Sequence, residues 1–150
     1  MKYFVYYSLS GNGDLLAEVL KEYGYTPIKV EAVKPLKKPN FFTIIKYGGD
    51  AMAAKKRKIK DLALEIKEDD EVVIGSPIWN DRLSTPINTV LANYNLNKET
   101  TGFILYPAGS TTNKSRLQLQ KLGFKKEPIV IQNPKKYTEK AKDLLKPFKE

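Results

Sequence analysis

The chain has 150 residues, 41% of them hydrophobic, with 26 basic against 17 acidic side chains and a formal net charge of +9. It contains neither cysteine nor histidine, which excludes disulfides, thiolate nucleophiles, Cys-ligated iron–sulfur clusters, Cys/His zinc sites, Ser-His-Asp triads and any histidine base. The length suits one domain over residues 1–150, no apolar run approaches the ~18 residues of a membrane span, and the basic balance points either to an anionic partner or to a solvated lysine face.

Apolar runs and helical patterns alternate along the chain. Tyr3 to Tyr7 is a continuous apolar run that ends in a Gly-rich turn rather than a small-residue cleavage site. It predicts a first strand rather than a signal peptide, so the cytoplasm is the expected location. Leu15, Leu16, Val19, Leu20 and Tyr23 then form one stripe of a helix that Gly24 ends. Pro27 to Ala32 alternates apolar and polar residues, as an edge strand does. Val33 to Asp70 is punctuated by Pro35, Pro39 and Gly48-Gly49. It predicts a short helix, a break at the glycine pair and a second helix from near Asp50, with Phe41, Phe42, Ile44 and Ile45 buried.

Further on, Glu71 to Gly75 and Gly102 to Pro107 lack alternation, which suits strands buried on both faces of a parallel sheet. Between them Thr85 reads as an N-cap with Pro86 at the first helical position, followed by Ile87, Val90, Leu91 and Tyr94 on one face. Ser110 to Gly123 predicts a shorter helix with Leu117 and Leu122 on one face. Pro128 to Gln132 predicts a second edge strand. Thr138 caps a last helix with Ala141, Leu144, Leu145 and Phe148 inward. The β-α alternation predicts a doubly wound, five-stranded parallel sheet with helices on both faces.

Open sheets of this kind bind ligands at the carboxyl ends of their strands. Three loops lie there. Ser8-Leu9-Ser10-Gly11-Asn12-Gly13 joins strand to helix and offers hydroxyls and backbone N–H groups to an anion, with the helix N-terminus behind them. It has no lysine or arginine, so amides and hydroxyls would carry the binding. The alternative is an ordinary tight turn with Ser10 or Asn12 as N-cap. Gly75 to Pro86 holds the single tryptophan, Trp79, which can stack on a planar ring or pack beneath its loop. Tyr106 to Thr112 offers small polar groups suited to the edge of a heterocycle, or to a plain connector.

Ser8-x-Ser10-Gly11-Asn12 resembles the phosphate loop of the flavodoxin family, and Gly75-Ser76-Pro77-Ile78-Trp79 is similar to a turn common in it. The strand spacing extends the resemblance over nearly the whole chain. It implies strand order 2-1-3-4-5 and non-covalent flavin mononucleotide (FMN). By the same resemblance, Ser8, Leu9, Ser10, Gly11, Asn12 and Gly13 hold the ribityl phosphate. Ser76, Pro77, Ile78, Trp79 and Asn80 border the isoalloxazine, and Pro107, Ala108, Gly109 and Ser110 meet its pyrimidine edge. Asn80 is the candidate for a backbone carbonyl facing the flavin N5, because asparagine tolerates unusual backbone angles. The chain departs from the family at Gly13, where threonine is common, and in having Asp14 beside it. It is also basic where the family is often acidic. Lys55, Lys56, Arg57, Lys58 and Lys60, joined by Lys34, Lys37, Lys38 and Lys46, form either a solvated helix face or a dock for an acidic redox protein.

The resulting expectation is an FMN-binding electron carrier, a monomer or weak dimer, with no catalytic side chain and no metal of its own. Two relatives of that reading stay open: a module of the same fold that has lost FMN, and a small FMN-dependent quinone or flavin reductase. A nicotinamide-binding domain would use Gly11, Gly13 and Glu31, but Leu16 stands where the third glycine belongs. A response-regulator receiver needs acidic residues where Ser8 and Gly75-Ser76 stand. A nucleic-acid module is disfavoured by the lack of interleaved exposed aromatics or an arginine stripe.

Overall fold

In the computed structural model, which describes residues 1–37 and 40–149, the elements follow in the order β1 (Lys2–Tyr6), α1 (Asn12–Glu22), β2 (Thr26–Lys29), α2 (Phe41–Met52), β3 (Glu71–Trp79), β4 (Arg82–Leu83), α3 (Thr85–Asn93), β5 (Gly102–Pro107), α4 (Asn113–Lys121), β6 (Ile129–Val130) and α5 (Thr138–Leu145). A 3₁₀ turn, Lys146–Phe148, follows α5. The sheet runs β2-β1-β3-β5-β6, all parallel. Counting parallel strands alone, this is the expected 2-1-3-4-5. A sixth, two-residue strand, β4, pairs antiparallel with the end of β3.

Period-two geometry sorts the apolar runs into two layers. Phe4, Tyr6, Val73, Ile104 and Tyr106 point to one face, where Leu16 and Leu20 of α1 and Ala141 and Leu145 of α5 cover them. Val5, Tyr7, Val72, Ile74, Phe103 and Leu105 point to the other, beneath Ile87, Val90 and Leu91 of α3 and Leu119 of α4. Burial on both faces is why the central strands show no polar alternation. Tyr25 adds a tie between strands by donating its hydroxyl to Glu71.

The chain departs from the sequence-based expectation in several places. α2 does not break at Gly48-Gly49 but runs through both. An Asn40–Thr43 capping box starts it, and Gly48 lets it approach the turn at Asn80, whose Cβ would lie 3.3 Å from a Cβ placed there. No helix starts near Asp50. The backbone beyond α2 is irregular, and several of its polar groups bond to α3 and its flank. The Arg57 N–H donates to the Thr89 hydroxyl and the Leu62 N–H to the Tyr94 hydroxyl. The cluster from Lys55 to Lys60 therefore lies on an irregular strap, partly paired: Lys55 with Asp50 at 3.2 Å and Lys60 with Glu31 at 3.2 Å. Lys38 and Pro39 lie outside the described residues.

Phe41, Phe42, Ile44 and Ile45 are not buried but are 60–80% exposed, since only the Tyr47, Gly48 and Ala51 side of α2 meets the body of the protein. In α4 the inward pair is Ser115 and Leu119, one helical turn apart. Leu117 and Leu122 are exposed. The caps of α1, α3 and α5 fall on Gly11, Ser84 and Tyr137, each next to the residue expected.

Candidate functional site

The loop after β1 is held open by its own side chains. Gly11 caps α1 with φ 93°, a left-handed conformation that glycine adopts without steric penalty. The Ser8 hydroxyl accepts the N–H of Gly13 at 3.1 Å and that of Asp14 at 3.4 Å. Gly13 is also required by space: a Cβ there would meet the Tyr106 hydroxyl at 2.8 Å and Tyr6 Cδ2 at 2.9 Å. Tyr106, fully buried, donates that hydroxyl to the Tyr7 carbonyl, and burial pushes its pKa well above the ordinary tyrosine value. The tyrosine packed under the loop thus leaves no room for a side chain at position 13.

Asp14 does not aim a bare carboxylate at this loop. Lys29 Nζ lies 2.9 Å from Asp14 Oδ1, and the Tyr6 hydroxyl donates to the same oxygen at 3.0 Å. Burial and the Asp14 carboxylate together raise the Tyr6 pKa. A cation also arrives from far along the chain. Lys135, in the turn after β6, donates its backbone N–H to Asn12 Oδ1 at 3.0 Å and its ammonium to the Ser10 carbonyl at 2.9 Å.

The second segment is a hairpin rather than a loop, because β3 continues through Ser76, Pro77, Ile78 and Trp79. Trp79 pairs with Arg82 across Asn80 and Asp81, which have φ 50° and 64°, the positive pair that a type I′ turn requires. The unusual backbone angle expected at Asn80 is therefore present. The Ser76 hydroxyl is fully buried and accepts the Ser84 N–H at 3.1 Å, fixing the return of the chain. The Trp79 ring stacks on Tyr47 of α2 at 5.5 Å and meets Tyr7 edge-on at 5.9 Å. Burial raises the Tyr7 pKa to about 12.

Between the first loop, α2, the hairpin and the loop after β5 lies a cavity of about 700 Å³, within the ~300–1,000 Å³ typical of small-molecule sites. Leu9, Ser10 and Asn12 line one end, and Pro77, Ile78, Trp79 and Asn80 one wall. Ala108 and Ser110 border it from the third loop. Ser110 Oγ is shielded from solvent and has no protein partner, an orphaned polar atom available to a ligand. The other expected residues stand behind this lining. Ser8, Gly11 and Gly13 shape the first loop, Ser76 pins the hairpin, and Pro107 ends β5 with Gly109 just beyond, at φ 110°.

Sequence reasoning missed the part of the lining that α2 supplies beside the hairpin, formed by Ile44, Ile45, Tyr47, Gly48, Gly49 and Met52. Its signal was ambiguous, because a glycine pair reads as a helix break. It also missed Lys135, although Asn133-Pro134 is a turn signal at the carboxyl end of the last strand. Among the described residues there is no cluster of metal-ligating side chains, and no helix is long and apolar enough to cross a membrane.

The strand order and the ring of loops at one sheet edge define a flavodoxin-like α/β fold. Solved structures share it. A flavoprotein of Lactobacillus acidophilus in complex with FMN aligns with TM-score 0.62 and 19% identity over 92% of this chain and 96% of that chain. Two candidate flavoproteins of Bacteroides align over nearly their whole lengths. That of Bacteroides uniformis has TM-score 0.70 and 18% identity, covering 97% of each chain. That of Bacteroides eggerthii has TM-score 0.66 and 20% identity, covering 98% of this chain and 96% of the other. No protein-family model and no curated protein sequence matches the chain.

Proposed function

We propose that this protein binds FMN non-covalently in the cavity at the carboxyl edge of the sheet and passes electrons between partners. The observation that carries the reading is the shape and chemistry of that cavity. It has Leu9, Ser10 and Asn12 of the loop before α1 at one end, an apolar and aromatic lining along its length, and the unpartnered Ser110 hydroxyl beside it. That one solved structure of this fold, the Lactobacillus acidophilus flavoprotein, is in complex with FMN adds weight. In this reading Ser8, Ser10, Gly11, Asn12 and Gly13 hold the phosphate, Trp79 and Tyr47 border the ring system, and Ser110 meets its polar edge. Bound there, FMN supplies one- and two-electron transfer. The protein would orient the ring, exclude water with Ile78 and Trp79, and present at the turn the Asn80 carbonyl, which also accepts a hydrogen bond from the Arg82 guanidinium at 3.2 Å.

The basic strap around Lys55 to Lys60 supports an acidic protein as redox partner. A small reductase acting on an apolar acceptor is favoured by one different feature, the exposed side chains of Ile44, Ile45 and Met52 at the cavity wall. Titration of the purified protein with FMN tests the shared core of both readings. Micromolar or tighter binding, a shifted flavin spectrum and quenched Trp79 fluorescence are expected. Absence of binding at micromolar FMN would overturn both. Turnover of quinones by the loaded protein with NADH or NADPH would select the reductase over the carrier.

A further inference from the structure

We infer that Lys135 is the cation that pairs with the ligand's phosphate, so that this site selects phosphorylated flavin over its dephosphorylated form. The inference rests on the flavin reading and adds a residue that lies 125 positions from the loop it serves.

Three observations converge on it. First, the loop itself has no basic residue, and the carboxylate of Asp14 is already matched by Lys29. That pair is close to neutral as a unit, so a dianionic phosphate would meet only amide dipoles. Second, the Lys135 side chain lies across Gly11. A Cβ on Gly11 would stand 3.4 Å from both Cδ and Nζ of Lys135. The ammonium is thereby held at the left-handed residue that opens α1. Third, two anchors fix it from different atoms. The backbone N–H of Lys135 donates to Asn12 Oδ1, and Nζ donates one of its three protons to the Ser10 carbonyl. An ammonium has two further donors to give to an anion at the same spot, and a charge-assisted bond is stronger than a neutral one.

The main-chain anchor makes the charge separable from the architecture. Lys135→Ala keeps the N–H that bonds Asn12 and removes only the ammonium and its stem. Lys135→Arg keeps the charge. Both variants and the parent are titrated with FMN and with riboflavin, at low salt and at 0.5 M salt, and their far-ultraviolet circular dichroism is compared. Lys135→Ala is expected to weaken FMN binding at low salt by at least about tenfold. Riboflavin affinity should change less than about twofold, and the salt dependence of FMN binding should flatten. Lys135→Arg should restore most of the loss.

Equal FMN affinity in the parent and in Lys135→Ala overturns the inference while leaving the flavin reading intact. So does a parallel loss of FMN and riboflavin, which marks a structural role only. A parent that binds neither flavin at micromolar concentration overturns the flavin reading and, with it, this assignment.

Discussion

A Cβ built on Gly13 would stand 2.8 Å from the hydroxyl oxygen of Tyr106, a residue 93 positions along the chain whose hydroxyl is committed to the Tyr7 carbonyl. Tyr6 Cδ2 at 2.9 Å and Ser8 Cβ at 3.0 Å crowd the same point. Gly13→Ala should therefore destabilise the protein by about 1–3 kcal/mol, as overpacking of a filled core does. Urea denaturation measures it. Adding Tyr106→Phe removes one of the three obstructions, so the double variant should be less destabilised than the sum of the two single changes. Simple additivity would mean that the two sites do not share this space.

Asp81 sits at φ 64° in the hairpin turn, and its Oδ1 is buried without a hydrogen-bond partner. Both features oppose folding. Glycine removes the left-handed strain and the unpaired oxygen together. Asp81→Gly is expected to raise stability by about 1 kcal/mol in the same denaturation assay. A loss of stability would show that the carboxylate has a partner in solution.

The two glycines of α2 should respond differently to alanine. A Cβ at Gly49 meets nothing within 4 Å, whereas one at Gly48 meets Asn80 Cβ at 3.3 Å. Gly49→Ala should gain close to the ~1 kcal/mol that separates the two residues in a helix interior, a rise of about 2–4 °C in Tm. Gly48→Ala should gain less or lose, since the hairpin must shift. Identical responses would mean that α2 and the Asn80 turn are not in contact.

Stability should fall in alkali because buried tyrosines resist ionisation. Tyr7 is raised from 10.0 to about 12 by burial, with Tyr47 adding to the rise and Arg57 opposing it, and Tyr6 and Tyr106 are raised as well. Below about pH 10 both the folded and unfolded forms keep these phenols protonated, and nothing is gained or lost. Between about pH 10 and 12 the unfolded chain binds fewer protons than the folded one, so the free energy of unfolding decreases with pH. Denaturation at stepped pH should show that decline beginning near pH 10. Absorbance at 295 nm should show Tyr6, Tyr7 and Tyr106 ionising only as the chain unfolds.

Where the sequence carried a strong local pattern in its strands, its reading survived. Val72 to Ile74 and Phe103 to Leu105 are apolar on successive residues because both faces of their strands are covered, and that pattern has one good explanation in a chain of this size. The strand-to-helix turn at Gly11 and the positive φ at Asn80 were likewise legible, since glycine and asparagine mark backbone conformations that few other residues tolerate. The Val33 to Asp70 region failed for the opposite reason. A glycine pair signals a break when read locally, but Gly48 and Gly49 lie within a helix stabilised by contacts with β3 and the hairpin.

What the sequence determined by itself is therefore the layer order of the fold and the identity of the loops that meet at its edge, because strand periodicity and turn chemistry are properties of neighbouring residues. What only the tertiary structure decided is which distant groups meet there. Stacking of Trp79 on Tyr47, exclusion of a side chain at Gly13 by Tyr106, and delivery of Lys135 to Ser10 all depend on closing loops of tens of residues or more. No local pattern encodes such contacts, since each is set by the packing of whole elements against the sheet.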